Sequence, residues 1–251
     1  MTNIILSGCT GRMGEAVSRL VSENNDAKIV AGIDINTSSV AQFPIYQSIT
    51  EFSGKADVIV DFSHHSALEG LLKYAAETST PLVVCTTGHT DEEIALMKEA
   101  SKKVAVFFSG NMSIGINLIT ELCRQAARAL GLGFDVEIIE KHHNKKLDAP
   151  SGTALMIANA LSEERDATEY VYDRHNERRL RDPSEIGIHS VRGGTIVGEH
   201  EVIFAGNNEM ITISHTATSR EVFAAGALRA AIYLCGKSAG MYDMSNVIND
   251  K

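Results

Sequence analysis

The apolar positions of the chain fall into two rhythms. In the first 110 residues, short runs that are apolar throughout alternate with stretches of helical spacing. Ile4-Ile5-Leu6, Ile29 to Ile33, Val58-Ile59-Val60 with Phe62, Leu82-Val83-Val84 and Val104 to Phe108 are strand-like. Between them, Met13 to Ser22 repeats Met13, Ala16, Val17, Leu20 and Val21 on one helical face. Ala67 to Ala76 reads as a helix capped by Ser66, and Asp91 to Lys102 as one entered through a Thr90/Glu93 capping box. Pro81 stands at a strand start, where a missing N–H is tolerated. Strands apolar on both faces suit a sheet buried on both sides, and alternation with helices implies parallel βαβ units. The pattern predicts a Rossmann-like, doubly wound α/β domain.

After Asn111 the pattern changes. Ile114 to Leu130 is one long helix, Val136 to Glu140 a strand, and Ser151 to Leu161 a helix with Ser151 or Thr153 near its cap. Ser162 to Pro183 is polar and charged and reads as a long loop. Ile186 to Arg192, Glu201 to Ala205 and Met210 to Thr216 follow as strands with little helix between them. That order predicts a second, α+β domain with a mixed sheet. An Ala-rich helix, Arg220 to Cys235, is expected to return to the first domain. The boundaries are 1–112 with 220–251 for a dinucleotide-binding domain, and 113–219 for a second domain.

Composition narrows the function classes. A formal charge of −9 disfavours a nucleic-acid or anionic-membrane partner, which needs a basic face. The four cysteines, Cys9, Cys85, Cys123 and Cys235, lie far apart in no metal-ligand spacing and read as reduced thiols. There is no signal-peptide pattern and no apolar run approaching the ~20 residues of a membrane span, so the expected location is cytoplasmic.

The first strand runs into Gly8-Cys9-Thr10-Gly11-Arg12-Met13-Gly14, a GxxGxxG spacing. Glycines there allow a tight turn and a close approach of backbone to pyrophosphate, whose charge then sits on a helix N-terminus. Asp34 lies 20 residues past Gly14 at the end of the second strand, where a carboxylate accepts from an adenosine ribose hydroxyl. The alternative is a plain glycine turn with a surface aspartate. Asp34 is followed by Ile35-Asn36-Thr37, with no cation to hold a 2′-phosphate, which favours NADH over NADPH. Arg12 is the residue of the loop that could still serve a 2′-phosphate. Thr86-Thr87-Gly88 and Ser109-Gly110-Asn111-Met112 end two further strands, the side on which such sheets bind ligands, and are candidate walls of the nicotinamide site.

The richest stretch is Glu140 to Ala154, EKHHNKKLDAPSGTA. It concentrates two imidazoles, three lysines and a Ser151-Gly152-Thr153 helix start. Histidine exchanges protons near neutral pH, lysine supplies a proton and attracts anions, and a helix start offers hydroxyls and N–H groups to a carboxylate. Each part alone also has a plain reading: a surface histidine pair, a solvated lysine pair, a cap. Adjacent histidines lack the i, i+4 spacing of a helical metal site, so no metal is expected.

The motif E-x-H-H-x-x-K-x-D-x-P-S-G-T-A resembles the signature of the 4-hydroxy-tetrahydrodipicolinate (dihydrodipicolinate) reductase family. The Gly8 to Gly14 loop, the Thr86-Thr87-Gly88 turn, the Arg192-Gly193-Gly194 to Gly198-Glu199-His200 segment, and Ser219-Arg220 with Phe223 to Ala227 are similar to further family segments, so the resemblance spans the chain. It implies NAD(P)H-dependent reduction of a small cyclic dicarboxylate on the route to diaminopimelate and lysine. In that reaction hydride goes to ring C4 of the unsaturated ring left when the hydroxy substrate loses water. It implies His142 as acid/base, Lys146 as proton donor, and His143, Lys146, Ser151, Gly152 and Thr153 as contacts to substrate carboxylates. It further implies cofactor contacts from Gly8, Gly11, Arg12, Met13, Gly14, Asp34, Thr86, Thr87, Gly88, Ser109, Asn111 and Met112, and a homotetramer formed through the second domain. Two departures stand out: Met112 replaces an expected aromatic, and Asp34-Ile35 replaces the acid-plus-arginine pair of NADPH-preferring members. Two other readings of the residues stay open: another small nicotinamide dehydrogenase, told apart by turnover of a simple amino acid, and a non-catalytic NAD-sensing module, told apart by cofactor binding without turnover.

Overall fold

The computed structural model describes residues 1–165, 169–176 and 178–250, and the chain divides into two compact units, 1–114 with 221–251, and 115–220.

The first unit holds seven parallel strands: β1 (Thr2–Ser7), β2 (Ala27–Ile33), β3 (Ile45–Tyr46), β4 (Val58–Asp61), β5 (Leu82–Val84), β6 (Ala105–Phe108) and, from the far end of the chain, β12 (Gly240–Tyr242). Their order is β12-β6-β5-β4-β1-β2-β3, and every neighbouring pair is parallel. The apolar runs are explained by two buried faces. Ile4 and Leu6 of β1 point to one, with α1 (Arg12–Ser22) and α6 (Glu221–Leu234); Ile5 points to the other, with α2 (Leu68–Thr78) and α3 (Asp91–Ala100). A helix α7 (Met244–Asn249) adds Met244 and Val247 to the first face. Alanines on α6 at positions 224, 227, 230 and 231 are fully buried. At Gly226 a Cβ would stand 1.7 Å from the Met112 carbonyl oxygen, so only glycine fits there.

The second unit holds α4 (Ile114–Leu130), which begins at the unit boundary, then β7 (Asp135–His142), α5 (Gly152–Glu163), β8 (Glu169–Val171), β9 (Glu185–Arg192), β10 (Gly198–Ala205) and β11 (Met210–Ala217). The sheet is mixed, in the order β11-β10-β7-β9-β8: β10 is antiparallel to β11 and β7, while β7, β9 and β8 run parallel. One face packs on Ile116, Ile119 and Cys123 of α4 and Ala154, Ile157 and Leu161 of α5. Strands β7 and β10 of this half-covered sheet alternate buried and outward positions, as strands with one core face do.

Three local expectations change. Ser66 does not cap α2; the helix starts after Ala67, which makes no side-chain cap, and Ser66 sits in a short 3₁₀ turn whose N–H is accepted by His64 Nδ1 at 3.3 Å. The charged stretch 162–183 is not all loop. It contains β8, paired with β9, and Arg174 and Arg179 engage the buried Glu185; residues 166–168 and 177 of that expected loop lie outside the described residues. The strand expected over 136–140 extends to His142, placing that histidine on the sheet.

Candidate active site

The nucleotide-binding features lie in the first unit. Gly8 follows β1 with φ +75°, and a Cβ there would meet the Phe62 carbonyl oxygen at 2.6 Å. At Gly14 a Cβ would stand 2.2 Å from the Gly8 oxygen, so the first turn of α1 lies flat against the loop. Gly11 occupies the N-cap position, with Arg12 exposed beside it. The loop is tied to β2: the Thr10 N–H donates to Asp34 Oδ2 at 2.9 Å, and the Asn36 N–H to Oδ1 at 3.1 Å. Partial burial pushes the Asp34 carboxyl up, but these amides outweigh it and hold it below the usual carboxylate range. An anionic oxygen pair with lone pairs to spare therefore stands at the end of β2, beside the glycine loop.

Beyond the loop, a cavity of about 270 Å³ is lined by Met13, Phe62, Cys85, Thr87, Ser109, Gly110, Asn111, Met112 and Phe223. Five of the sequence-predicted cofactor residues thus share one wall at the carboxyl ends of the strands: Met13, Thr87, Ser109, Asn111 and Met112. Asn111 is folded in by its own neighbours, its carbonyl accepting from Ser109 Oγ at 2.9 Å and its side chain from Ser113 N–H at 2.8 Å. Phe62, Cys85 and Phe223 were missed as lining residues, because an apolar residue just past a strand, or in the first turn of an Ala-rich helix, reads as core. A larger cavity, about 590 Å³, follows the α1–β2 flank down to Met1, Ala27 and Lys28 at the amino ends of the strands. It also reaches Cys9 and Thr10 of the glycine loop and Ser39 to Phe43 after β2, so it touches the carboxyl ends of the strands only on the Asp34 side, and the smaller cavity is the candidate nicotinamide side of the site.

The histidines and Ser151 of the Glu140–Ala154 motif lie in the second unit. Along β7 the core-facing positions read Val136, Ile138, Glu140, His142. Two-residue alternation carries the apolar face straight into a buried carboxylate and an imidazole. Register supplies the partners: His142 lies opposite Arg192 on β9, and Glu140 opposite His200 on β10. Glu140 is fully buried and gathers the cluster. It accepts from His142 Nδ1 at 2.6 Å, from Arg192 Nη1 and Nη2 at 2.8 and 2.7 Å, and from the Ser151 N–H at 3.1 Å. Burial would raise its carboxyl; the Arg192, Ser190 and His142 hydrogen bonds overcome that and hold it at about 2.

A carboxylate accepts only, so His142 carries its proton on Nδ1, and Nε2 is the bare nitrogen of the neutral ring. Burial lowers the His142 pKa below its ordinary value against the pull of Glu140. Nε2 lies 3.2 Å from where a Cβ on Gly198 would be, so glycine keeps that nitrogen open. His200 meets the His142 ring edge-on at 5.2 Å between centroids, and its Nε2 is 3.1 Å from Ser151 Oγ. Burial pushes His200 down to about 4, and the competing protonation of His142 beside it adds to that.

Ser151 caps α5, its Oγ accepting from the Ala154 N–H at 3.1 Å, and Gly152 and Thr153 form the first turn. Lys146, its side chain 21% exposed, pairs with Asp148 at 3.0 Å and is near enough to depress both His142 and His200. His143 is half-buried, and its Nδ1 has no partner among the described residues. Glu140 thus holds His142 and Ser151 in one cluster, with Lys146 near enough to act on the His142 ring. The structure adds Glu140, Arg192 and His200, to which the sequence had assigned no role. The available signal was the two-residue spacing of Glu140 and His142 on a strand. Among the described residues no group of three or more His, Cys, Asp or Glu could hold a metal, and no helix is long and apolar enough to cross a membrane.

Two family profiles cover nearly the whole chain: dihydrodipicolinate reductase, N-terminus, over residues 2–112, and dihydrodipicolinate reductase, C-terminus, over 115–248. The 4-hydroxy-tetrahydrodipicolinate reductase of Caldanaerobacter subterraneus subsp. tengcongensis is 52% identical over 99% of this chain and 98% of its own length. That of Clostridium novyi is 49% identical over the full length of both. Among solved structures, dipicolinate-bound dihydrodipicolinate reductase from Paenisporosarcina sp. TG-14 superposes with TM-score 0.79 at 25% identity, covering 97% of each chain.

Proposed function

The chain belongs to the dihydrodipicolinate reductase family, and from that premise we propose how its own residues carry out the reaction. It is an oxidoreductase of diaminopimelate and lysine biosynthesis that reduces 4-hydroxy-tetrahydrodipicolinate with a reduced nicotinamide cofactor.

The nicotinamide supplies a hydride to ring C4 when bound. Gly8, Gly11 and Gly14 clear the space for its pyrophosphate at the start of α1, and Asp34 accepts from the adenosine ribose. The Asp34 carboxylate repels a 2′-phosphate, and no lysine or arginine follows it on the loop, which supports NADH as the preferred cofactor. Thr86, Thr87, Gly88, Ser109, Asn111 and Met112 form the wall on the nicotinamide side.

Hydride addition pushes electron density into the ring, so the chain must supply a positive charge and a proton. The observation that carries the division of labour is the Glu140 clamp. It fixes the His142 proton on Nδ1, and burial keeps the ring neutral, so Nε2 is an acceptor that binds and orients. Lys146, an ammonium with three donors, is then the proton source. His143, Ser151, Gly152 and Thr153 offer donors at the start of α5 to the substrate carboxylates. The dipicolinate held by the Paenisporosarcina enzyme is a dicarboxylate of this class. Apolar side chains on the outer face of the second unit's sheet, Ile139, Ile203 and the exposed Met210, support tetramer formation through that unit, and the metabolic role supports a cytoplasmic location.

The test is oxidation of reduced nicotinamide followed by absorbance, with substrate made in place from pyruvate and aspartate semialdehyde by its synthase, and NADH and NADPH in parallel. Lys146→Ala is expected to lower kcat by roughly 10²–10⁴-fold while the protein still binds cofactor. A variant with wild-type kcat overturns the Lys146 role.

A further inference from the structure

A further buried carboxylate stands in the first unit, and the reaction does not use it. Asp61 ends β4 with no exposure. Its Oδ1 accepts from the Ser63 N–H at 3.1 Å and from Ser63 Oγ at 2.5 Å, while Oδ2 faces Thr86 Oγ1 at 3.2 Å. The line continues outward: Thr86 Oγ1 to His89 Nε2 at 2.8 Å, His89 Nδ1 to Glu93 Oε2 at 3.2 Å, and Glu93 Oε1 to His65 Nδ1 at 2.8 Å. The His89 side chain is 1% exposed and rests edge-on against Phe108. Four elements thus meet in one polar thread at the carboxyl edge of the sheet: β4, the turn after β5, the start of α3 and the turn before α2.

Counting donors gives the thread a direction. Hydrogen bonds from His65 and the Thr90 N–H hold the Glu93 carboxyl at about 2, so Glu93 only accepts. His89 Nδ1 must then donate, and the Nε2 of the neutral ring accepts. Thr86 has one hydroxyl hydrogen; spent on His89, it leaves Thr86 only able to accept from Asp61. Asp61 must therefore carry a proton on Oδ2. Burial, the largest influence on the Asp61 carboxyl, raises its pKa and agrees. The opposite direction needs an ionised Asp61 and a second proton on His89, a buried charge pair in place of two neutral groups.

We propose that Asp61, His89 and Glu93 are positioning residues: hydrogen bonds running Asp61→Thr86→His89→Glu93 fix the Thr86–Gly88 turn, and through it the cofactor affinity. The proposal rests on the reading above that this turn borders the nicotinamide. Gly88, at φ +80°, ends a turn whose first residue has its side chain held at both ends of a hydroxyl. Neither His89 nor Asp61 lines the cavity.

Two readouts on the full-length enzyme separate the proposal from the reading it rests on. Amide hydrogen exchange over 86–88 without cofactor reports the thread alone; KM for NADH, KM for the dicarboxylate and kcat report its consequence. His89→Phe, which keeps the contact with Phe108 but no ring nitrogen, is expected to lose protection of the turn and raise KM for NADH by roughly tenfold, the effect of leaving a buried polar group unpaired. The dicarboxylate KM stays unchanged. Thr86→Val gives the same pattern. Asp61→Asn places an N–H where the acid has its O–H, and is expected to retain both turn protection and KM. Wild-type exchange and KM in His89→Phe overturn the proposal. Damage in Asp61→Asn equal to that in His89→Phe overturns its direction. Lost protection with unchanged NADH KM overturns the placing of the turn beside the cofactor, while the thread itself stands.

Discussion

Replacing Glu140 by glutamine removes a charge and one acceptor from a group that serves the donors of Arg192, His142, Ser151 and Ser190. The carboxylate takes two bonds from Arg192, one from His142 and one from the Ser151 amide. A glutamine oxygen satisfies one side of that set; on the other side its NH₂ faces donors. If the NH₂ faces Arg192 and Ser151, the start of α5 loses its tie to β7. If it faces His142, the ring must surrender its Nδ1 proton and place it on Nε2, reversing the face offered to a ligand. Breaking a buried ion pair by removing one partner costs about 3–5 kcal/mol. The Arg192 side chain is 19% exposed and keeps the Val191 and Asp148 carbonyls as acceptors, which sets the expectation at the low end. About 3 kcal/mol in a chain of this size lowers Tm by roughly 6–12 °C. Because the variant also misdirects the imidazole, kcat should fall by roughly 10²-fold with cofactor KM unchanged. Thermal melts of the ligand-free protein and steady-state rates read the two effects separately. A variant that melts within about 2 °C of wild type and keeps its kcat refutes the clamp.

Two further outcomes follow from the same sites. Asp34→Ala removes the acceptor at the end of β2 and leaves the Thr10 amide without it; KM for NADH should rise by roughly tenfold and the ratio of NADPH to NADH use should increase, whereas an unchanged ratio contradicts the role given to Asp34. In acid, burial makes folded His200 and His142 take up protons less readily than the unfolded chain, His200 down to about 4 from an ordinary 6.5. Stability is therefore complete above that ordinary value and falls as pH drops toward 4; Glu140, held at about 2 against an ordinary 4.5, extends the loss from 4.5 downward. Urea midpoints measured across this range should decrease steadily, and a flat or rising profile contradicts the assignment.

The first unit was legible because its strands are buried on both faces and announce themselves as unbroken apolar runs, and because glycine is required where the backbone crowds, at Gly8 and Gly14. Strands β3 and β12 escaped because two or three residues make no periodic signal, and their pairing is decided by the neighbouring strand. Strand β8 was hidden in a charged stretch: the arginines that look solvated, Arg174 and Arg179, are paired with the buried Glu185. At the candidate site, His142, Lys146 and Ser151 could be named from one contiguous motif. The group that organises them could not, since the Arg192 that holds Glu140 lies 52 residues further on and the His200 that meets Ser151 lies 49 further on. Alternation along β7 tells which face Glu140 occupies. Only the register with β9 and β10 tells what waits there.

The central claim is that this chain reduces a cyclic dicarboxylate by hydride transfer from a nicotinamide to ring C4. Turnover of 4-hydroxy-tetrahydrodipicolinate by wild type with NADH deuterated on the transferred face of C4, analysed by NMR of the product, tests it most directly. The account predicts deuterium at C4 of the tetrahydrodipicolinate ring. Cofactor binding with no oxidation, or a product without deuterium at that carbon, contradicts it.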